Sequence, residues 1–503
     1  MSELPRVDET GTDAATRRRE AVAAFAHDLV VAIVDAEIHA PNDHALEAHL
    51  VATARALREA LSATAGATLV LACHGGRILW DGVDLVSASL QGSRLLRIAA
   101  ERGIASFTFD VQVDGRVLGR LIELLRDPRA KEAFRPQAID MVLRARGIRG
   151  VGLAFGQTGA IAAPAITPQT ALRAPAVPAL GQAMAGYQAM TAALQDSHVR
   201  ATRGREIELD ATRGVVERAV ATMSTAPSDL LALAVYDDID RFTVGHSVRV
   251  ALLALQVARA AHASEEQLLL VGTAGMLHDI GKSHVPQEVL FKQGRLDDDE
   301  WRVMAEHPRL GAELLLEQKD VHKAAIGAAY CHHMAPNGLG YPRPAIPFDP
   351  SGISKLVRVC DVFEALTAVR PYKRDLTPLE ALAVMHREAK GFDPHWFRFF
   401  VQTIGVYPIG TRVRLSNGDR ALVVRQGIAI DRPVVRLIGS QSVDDLPAAD
   451  ARELTIGDRV DDLVLTIDAV VRRRSGAQAV DASDRIAAVM QHACLGKPTP
   501  RGS

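Results

Sequence analysis

The hydrophobic pattern of the chain changes character three times. From about Arg19 to His39 the apolar positions Val22, Phe25, Leu29, Val30, Ile33 and Val34 recur at helical spacing. Pro41-Asn42 breaks that pattern, and Asp43 is placed to cap a second helix running to about Leu61. Thr68 to Cys73 then reads as a strand, Gly75-Gly76 as a turn and Arg77 to Trp80 as a short second strand. A helix near Ser87 to Glu101 stops at Gly103, Ile104 to Phe109 is strand-like, and Val117 to Leu125 is helical. These elements predict a small α/β domain over residues 1–155, with a polar stretch before Arg19.

Residues 156–180 lose all apolar periodicity and carry Pro164, Pro168, Pro175 and Pro178 among alanines and glycines, as an extended linker does. Helical spacing resumes near Gln182 and continues to about Met223, a segment suited to packing between domains or subunits. Amphipathic helices follow at Ser247 to Ala260, Glu265 to Leu277, Leu296 to Glu306, Ala324 to His333, Ile353 to Ala368 and Pro378 to Glu388. They predict an all-helical domain over 181–405. From 406 to 475 the period becomes that of strands, and Asn417-Gly418 is the best hairpin signal in the chain. A small β module is expected there, then a tail (476–503) with a weak helix at Asp484 to Cys494. The fold class expected is multidomain α+β.

The 503 residues suit about three or four domains. With 48% apolar and 23% charged residues and a formal net charge of −2, the chain has neither the basic excess of a nonspecific nucleic-acid binder nor a disordered composition. No apolar run reaches the roughly 20 residues of a membrane helix, and the polar N-terminus has no signal-peptide core. Cys73, Cys331, Cys360 and Cys494 are scattered and make no CxxC pair, which fits a reducing compartment; a cytoplasmic protein is expected. Cys73 reads as an inert core thiol, and His74, beside two glycines, as a hairpin residue rather than a ligand contact.

The chemistry concentrates between 246 and 373. Eight of the 17 histidines lie between His246 and His333, too many for an apolar core to satisfy. In order come His246, His278-Asp279-Ile280-Gly281-Lys282, His307-Pro308, His332-His333, Asn337-Gly338-Leu339-Gly340-Tyr341-Pro342, Asp361 and Arg370-Pro371-Tyr372-Lys373. Imidazole and carboxylate suit divalent Fe, Mn or Zn. His278 and Asp279 are adjacent and so able to reach ions in one cleft, and Lys282 lies on the same helical face as His278. Pro308 sets His307 at a helix boundary. A carboxylate beside a histidine can bridge two ions, and a two-metal site can activate water for phosphodiester cleavage. His262, His284 and His322 fit no such pattern and read as surface or supporting residues.

This ordered series resembles the HD superfamily of metal-dependent phosphohydrolases, and Gly340-Tyr341-Pro342 makes it similar to the HD-GYP subfamily, whose members hydrolyse cyclic di-GMP. The resemblance covers roughly residues 205–405. It implies that His246, His278, Asp279, His307, His332, His333 and Asp361 ligate the metals, two ions of Fe or Mn. It implies catalytic roles for Asp279 and Lys282, with Lys282 at the scissile phosphate, and phosphate contacts from Arg370 and Lys373. Tyr341, at the mouth of the site, either stacks on a base or packs its loop. Three positions depart from the family pattern. Phe242 replaces a glutamate that helps hold a third ion in some members, and Met334 and Asn337 replace two acidic residues after the histidine pair.

The implied activity is hydrolysis of cyclic di-GMP to pGpG and GMP by a metal-activated water. The alternative is a signalling module that binds a cyclic dinucleotide or a protein partner without cleaving it. Neither a nucleic-acid polymer nor a membrane is an expected partner; a homodimer is left open.

Overall fold

A computed structural model describes residues 14–38, 44–156, 178–225, 243–290, 292, 295–338, 340–368, 376–438, 452–460, 463–471 and 480–481. The chain divides into two compact units, Met1–Ala176 and Val177–Ser503. Asp43, Phe242, Arg370 to Lys373, nearly all of the expected linker and the expected tail helix lie outside the described residues.

In the first unit, α1 (Ala14–Ile38) packs on α2 (His44–Thr64). The sheet has the order β3-β2-β1-β4-β5, formed by β1 (Thr68–His74), β2 (Arg77–Trp80), β3 (Val83–Asp84), β4 (Ile104–Asp110) and β5 (Val151–Phe155). Gly75 and Gly76 both adopt positive φ, which closes the β1–β2 hairpin with His74 opposite Arg77, and His74 is exposed there. The remaining helices are α3 (Val86–Gln91), α4 (Ser93–Arg102), α5 (Gly115–Arg126) and α6 (Ile139–Ala145). The helix expected over Ser87 to Glu101 is thus two, divided at Gly92. Asp114 caps α5 by accepting from the Val117 amide at 2.8 Å. Phe25, Leu29, Ile33, Phe107 and Phe109 fill the core, and Phe25 meets Phe109 edge-on.

Every strand pairing in this sheet is antiparallel, so the unit is α+β rather than α/β. The alternation of helix and strand is the same for either arrangement. Strand direction is set by the connections, which periodicity does not report. β5 and α6 were not anticipated.

The second unit begins with α7 (Pro178–Thr202) and α8 (Leu209–Thr225), followed by α9 (Thr243–Ala260) and α10 (Glu265–Leu277). A 3₁₀ turn, Ile280–His284, leads to α11 (Gln287–Leu290), α12 (Asp298–Met304), α13 (His307–Leu316), α14 (Lys323–Cys331) and α15 (Gly352–Thr367). α16 (Pro378–Arg387) and α17 (Pro394–Ile404) close the helical part. Capping boxes at Ser264/Gln267, Asp297/Glu300 and Thr377/Glu380 start α10, α12 and α16. α9 and α10 cross closely: a Cβ on Gly275 would lie 2.7 Å from Ala251 Cα. α10 packs on α9, α14 and α15, α15 also packs on α9 and α14, and α13 packs on α14 and on the 3₁₀ turn. α17 was not anticipated.

The β module expected after 405 consists of β6 (Arg412–Leu415), β7 (Arg420–Arg425), β8 (Val434–Leu437), β9 (Glu453–Thr455), β10 (Arg459–Val460), β11 (Leu463–Val464), β12 (Ile467–Val470) and β13 (Val480–Asp481). Six of these strands make one antiparallel sheet in the order β13-β12-β6-β7-β8-β9, and β10 pairs with β11. Asn417-Gly418 lies in the β6–β7 turn, with Gly418 at φ +88° and Arg414 opposite Arg420. Among the described residues no helix is long and apolar enough to cross a membrane.

Candidate metal centre

Four helix ends and one helix interior supply the candidate ligands. α10 carries buried Met276 and Leu277 inward, so His278 and Asp279, immediately after it, are buried as well. The chain then turns at Ile280–His284 against the start of α13. A Cβ on Gly281 would lie 2.0 Å from the His307 carbonyl oxygen and 2.4 Å from the Gly311 amide nitrogen, so this approach requires glycine. His307 is the first residue of α13, with Pro308 at a position where a missing N–H costs nothing. His332 and His333 follow α14, and Asp361 lies within α15. His246 is in the first turn of α9, which starts three residues before it rather than just after it as expected.

The seven side chains converge. Donor atoms within 4.8 Å of one another form three groups among the described residues: His246, His278 and Asp361; His278, Asp279 and His332; and His307, His332 and His333. Asp279 joins two lobes. Its Oδ1 is 3.2 Å from His307 Nε2 and 3.5 Å from His332 Nε2; its Oδ2 is 3.5 Å from His246 Nε2 and 3.6 Å from His278 Nε2. Asp361 spans the same two lobes: Oδ1 is 3.1 Å from His246 Nε2, and Oδ2 is 3.7 Å from His333 Nδ1.

The outer nitrogens fix the tautomers. His278 Nδ1 donates to the Gly275 carbonyl at 2.7 Å, His307 Nδ1 to Met304 at 2.8 Å, and His332 Nδ1 to Ala329 at 2.9 Å. With the proton on Nδ1, each Nε2 presents a bare lone pair to the centre. His307 and His332 then face each other, Nε2 to Nε2, at 3.1 Å. His278 Nε2 and Asp279 Oδ1 are buried and take no hydrogen bond. Buried lone pairs without donors are costly, and a divalent cation in each lobe would satisfy them. The donor set therefore fits a metal pair.

The protonation states agree. Burial pushes His278 down to about 4 and also lowers His307 and His333. For Asp279, burial opposes ionisation, but Lys282 and His278 outweigh it and hold the carboxyl well below its usual range. Asp361 is lowered despite burial, chiefly by its hydrogen bond with His246. Neutral imidazoles and ionised carboxylates are the forms that bind metal. His246 is the exception: burial disfavours its charge, yet Glu364 and Asp361 raise it to about 10. Carboxylates on both of its ring nitrogens call for positive charge there, a demand that a cation at Nε2 also meets.

Glu364 was not singled out in the sequence. It is buried, accepts from His246 Nδ1, and is held by Arg249, whose Nε donates to it at 2.6 Å. Arg249 follows His246 by three residues and Glu364 follows Asp361 by three, so each shares a helical face with its neighbour. That spacing was the available signal. Arg358, three residues before Asp361, donates to the Gly391 carbonyl at 2.9 Å and reaches the His332 carbonyl at 3.4 Å, tying the end of α14 in place.

Lys282 is paired with Asp279 Oδ2 and half-buried at the edge of the cluster. Tyr341 stacks on His333, with ring centroids 4.6 Å apart and planes 29° apart, and its amide donates to the His333 carbonyl at 3.2 Å. A Cβ on Gly340 would meet that same carbonyl at 2.1 Å. Met334, next to His333 in the chain, is half-buried, and Asn337 is exposed. His262, His284 and His322 are exposed and apart from it; His322 caps α14. Phe242, Arg370 and Lys373 fall outside the described residues.

Comparison with known proteins accords with this geometry. An HD-domain family model matches residues 233–396. A cyclic di-GMP phosphodiesterase of Pseudomonas aeruginosa is 32% identical over 324 residues, covering 61% of this chain and 78% of the relative. The cyclic di-GMP phosphodiesterase response regulator RpfG of Xanthomonas campestris is 39% identical over 29% of this chain and 39% of its own length. The 3'3'-cGAMP-specific phosphodiesterase 3 of Vibrio cholerae is 33% identical over 33% of this chain and 36% of its own. The chain belongs to the HD-GYP subfamily of the HD superfamily.

Proposed function

We propose that the protein is a metal-dependent phosphodiesterase that hydrolyses cyclic di-GMP to linear pGpG and then to GMP. The observation that carries this reading is the Asp279 carboxylate, one oxygen turned to His307 and His332 and the other to His246 and His278. In this assignment His246, His278 and Asp361 would hold one ion and His307, His332 and His333 the other, with Asp279 between the two groups. Two divalent ions held there, Fe or Mn, would supply Lewis-acid activation of water and compensation of phosphoryl charge.

The chain's own groups do the rest. The outer hydrogen bonds of His278, His307 and His332 keep their Nε2 atoms aimed inward. Lys282 balances Asp279 and offers an ammonium to the scissile phosphate at the edge of the cluster. Arg370 and Lys373 are assigned the remaining substrate phosphates. Cyclic GMP-AMP is the competing substrate, because relatives named for it have identities similar to the first relative's.

The test is incubation of anaerobically purified protein with cyclic di-GMP, 3'3'-cGAMP and cyclic di-AMP, with chromatography of the products. The proposal expects pGpG and GMP from cyclic di-GMP, and no product from an Asp279→Ala protein. Preferential cleavage of 3'3'-cGAMP would reassign the substrate. Intact dinucleotides with fully metal-loaded protein would leave the non-hydrolytic reading.

A further inference from the structure

Trp301 takes no part in the metal centre, yet it lies beside it. It sits on α12, which buries none of its residues. Half of the tryptophan surface is exposed, at 50%. A core explanation for so large an apolar side chain is therefore missing; Asp298, Asp299, Glu300 and Arg302 surround it in the chain, and Val303 and Met304, the other apolar residues of the helix, are not buried either. The backbone that carries the indole is fixed: the Trp301 main-chain amide donates to the Asp297 carbonyl at 2.8 Å, and the Asp297/Glu300 capping box fixes the first turn. Its ring meets Tyr341 at 5.7 Å and 76°, an edge-to-face contact. Tyr341 in turn stacks on His333, whose other ring neighbours include His332 and His307. One face of half-buried Tyr341 is thus already occupied, and Trp301 is the more exposed of the two rings.

We propose that Trp301 is a stacking platform for one nucleobase of the cyclic dinucleotide, an assignment that rests on the function proposed above. The indole stands two ring contacts from a candidate metal ligand, the separation expected when a phosphate sits at the ions and its base reaches outward. Any purine has a π-face to offer, so the platform contributes affinity to guanine and adenine alike. The edge-to-face contact with Tyr341 and the capped turn beneath it reduce the freedom that the indole has to lose on binding. Tyr341 acts as the spacer that holds the platform away from the ions, a positioning role.

The test compares metal-loaded wild type with Trp301→Ala and Trp301→Phe, each checked for equal metal content. Trp301→Ala is expected to raise KM for cyclic di-GMP about tenfold or more, as loss of base stacking does, with a smaller fall in kcat. Trp301→Phe, which keeps an aromatic face, is expected to restore most of that loss. Tryptophan emission is expected to be quenched by cyclic di-GMP but not by inorganic phosphate, and the quenching is expected to vanish in Trp301→Phe. An unchanged KM in Trp301→Ala while the wild type turns over would overturn the platform and leave the function intact. Equal quenching by phosphate and dinucleotide would overturn it too. A wild-type protein that binds no cyclic dinucleotide would overturn the platform together with the function.

Discussion

Replacing Gly281 by alanine tests how the two halves of the site are held in register. The added Cβ would lie 2.0 Å from the His307 carbonyl oxygen, 2.4 Å from the Gly311 amide nitrogen and 2.8 Å from Gly311 Cα. All three are backbone atoms, so no side-chain rotation relieves them. Restoring an ordinary van der Waals separation moves the start of α13 away from the 280–284 turn by about 1 Å or more. His307 is the first residue of that helix and faces Asp279 Oδ1 at 3.2 Å. Metal ligation tolerates displacements of only about 0.2 Å, so the lobe formed by His307, His332 and His333 loses its geometry. Overpacking of this kind also costs about 1–3 kcal/mol of stability. The expected result is a protein that retains less than half of the wild-type metal and melts several degrees lower in its metal-free form. Elemental analysis and calorimetry read the two effects separately. Wild-type metal content with an unchanged melting temperature would refute the claim that this backbone approach sets the site.

Two further predictions follow from particular side chains. Glu364→Gln removes the carboxylate that pairs with Arg249 and the anionic acceptor from His246 Nδ1; metal affinity is expected to fall about 10–100-fold, read by competition with a chelator, and unaltered affinity would show that the pair only fills space. For Cys73, burial pushes the thiol up to about 12; because the thiol is neutral below that value, iodoacetamide is expected to leave it unlabelled in the folded protein at pH 8 and to label it only as the pH approaches 12 or the unit unfolds, as peptide mapping would show.

The ordered ligand series was legible because each member sits where local chemistry marks it. His278-Asp279 follows an apolar helix that starts at a capping box, and His307 is flagged by Pro308. The β6–β7 hairpin was marked by Asn417-Gly418. What supports the ligands was far less visible. The Glu364 contact joins residues 118 positions apart in the chain, and it exists only because α9 packs on α15. Gly281 stands within the His278–Lys282 series in sequence, and only the structure shows that it admits another backbone. In the first unit, short strands between helices concealed the antiparallel directions, and β5 follows a stretch with little periodicity. The candidate ligands are thus marked locally, while orientation and close approach arise from tertiary packing.

The central claim is that Asp279 joins two ions in one site. Electron paramagnetic resonance of the protein reconstituted with Mn(II), with the metal counted per chain, tests it most directly, because ions about 3.5–4 Å apart in a two-metal site are magnetically coupled through a shared carboxylate. The account expects two ions per chain with a coupled signal, and loss of that coupling in Asp279→Ala. A single uncoupled ion per chain in protein that still hydrolyses cyclic di-GMP would contradict it.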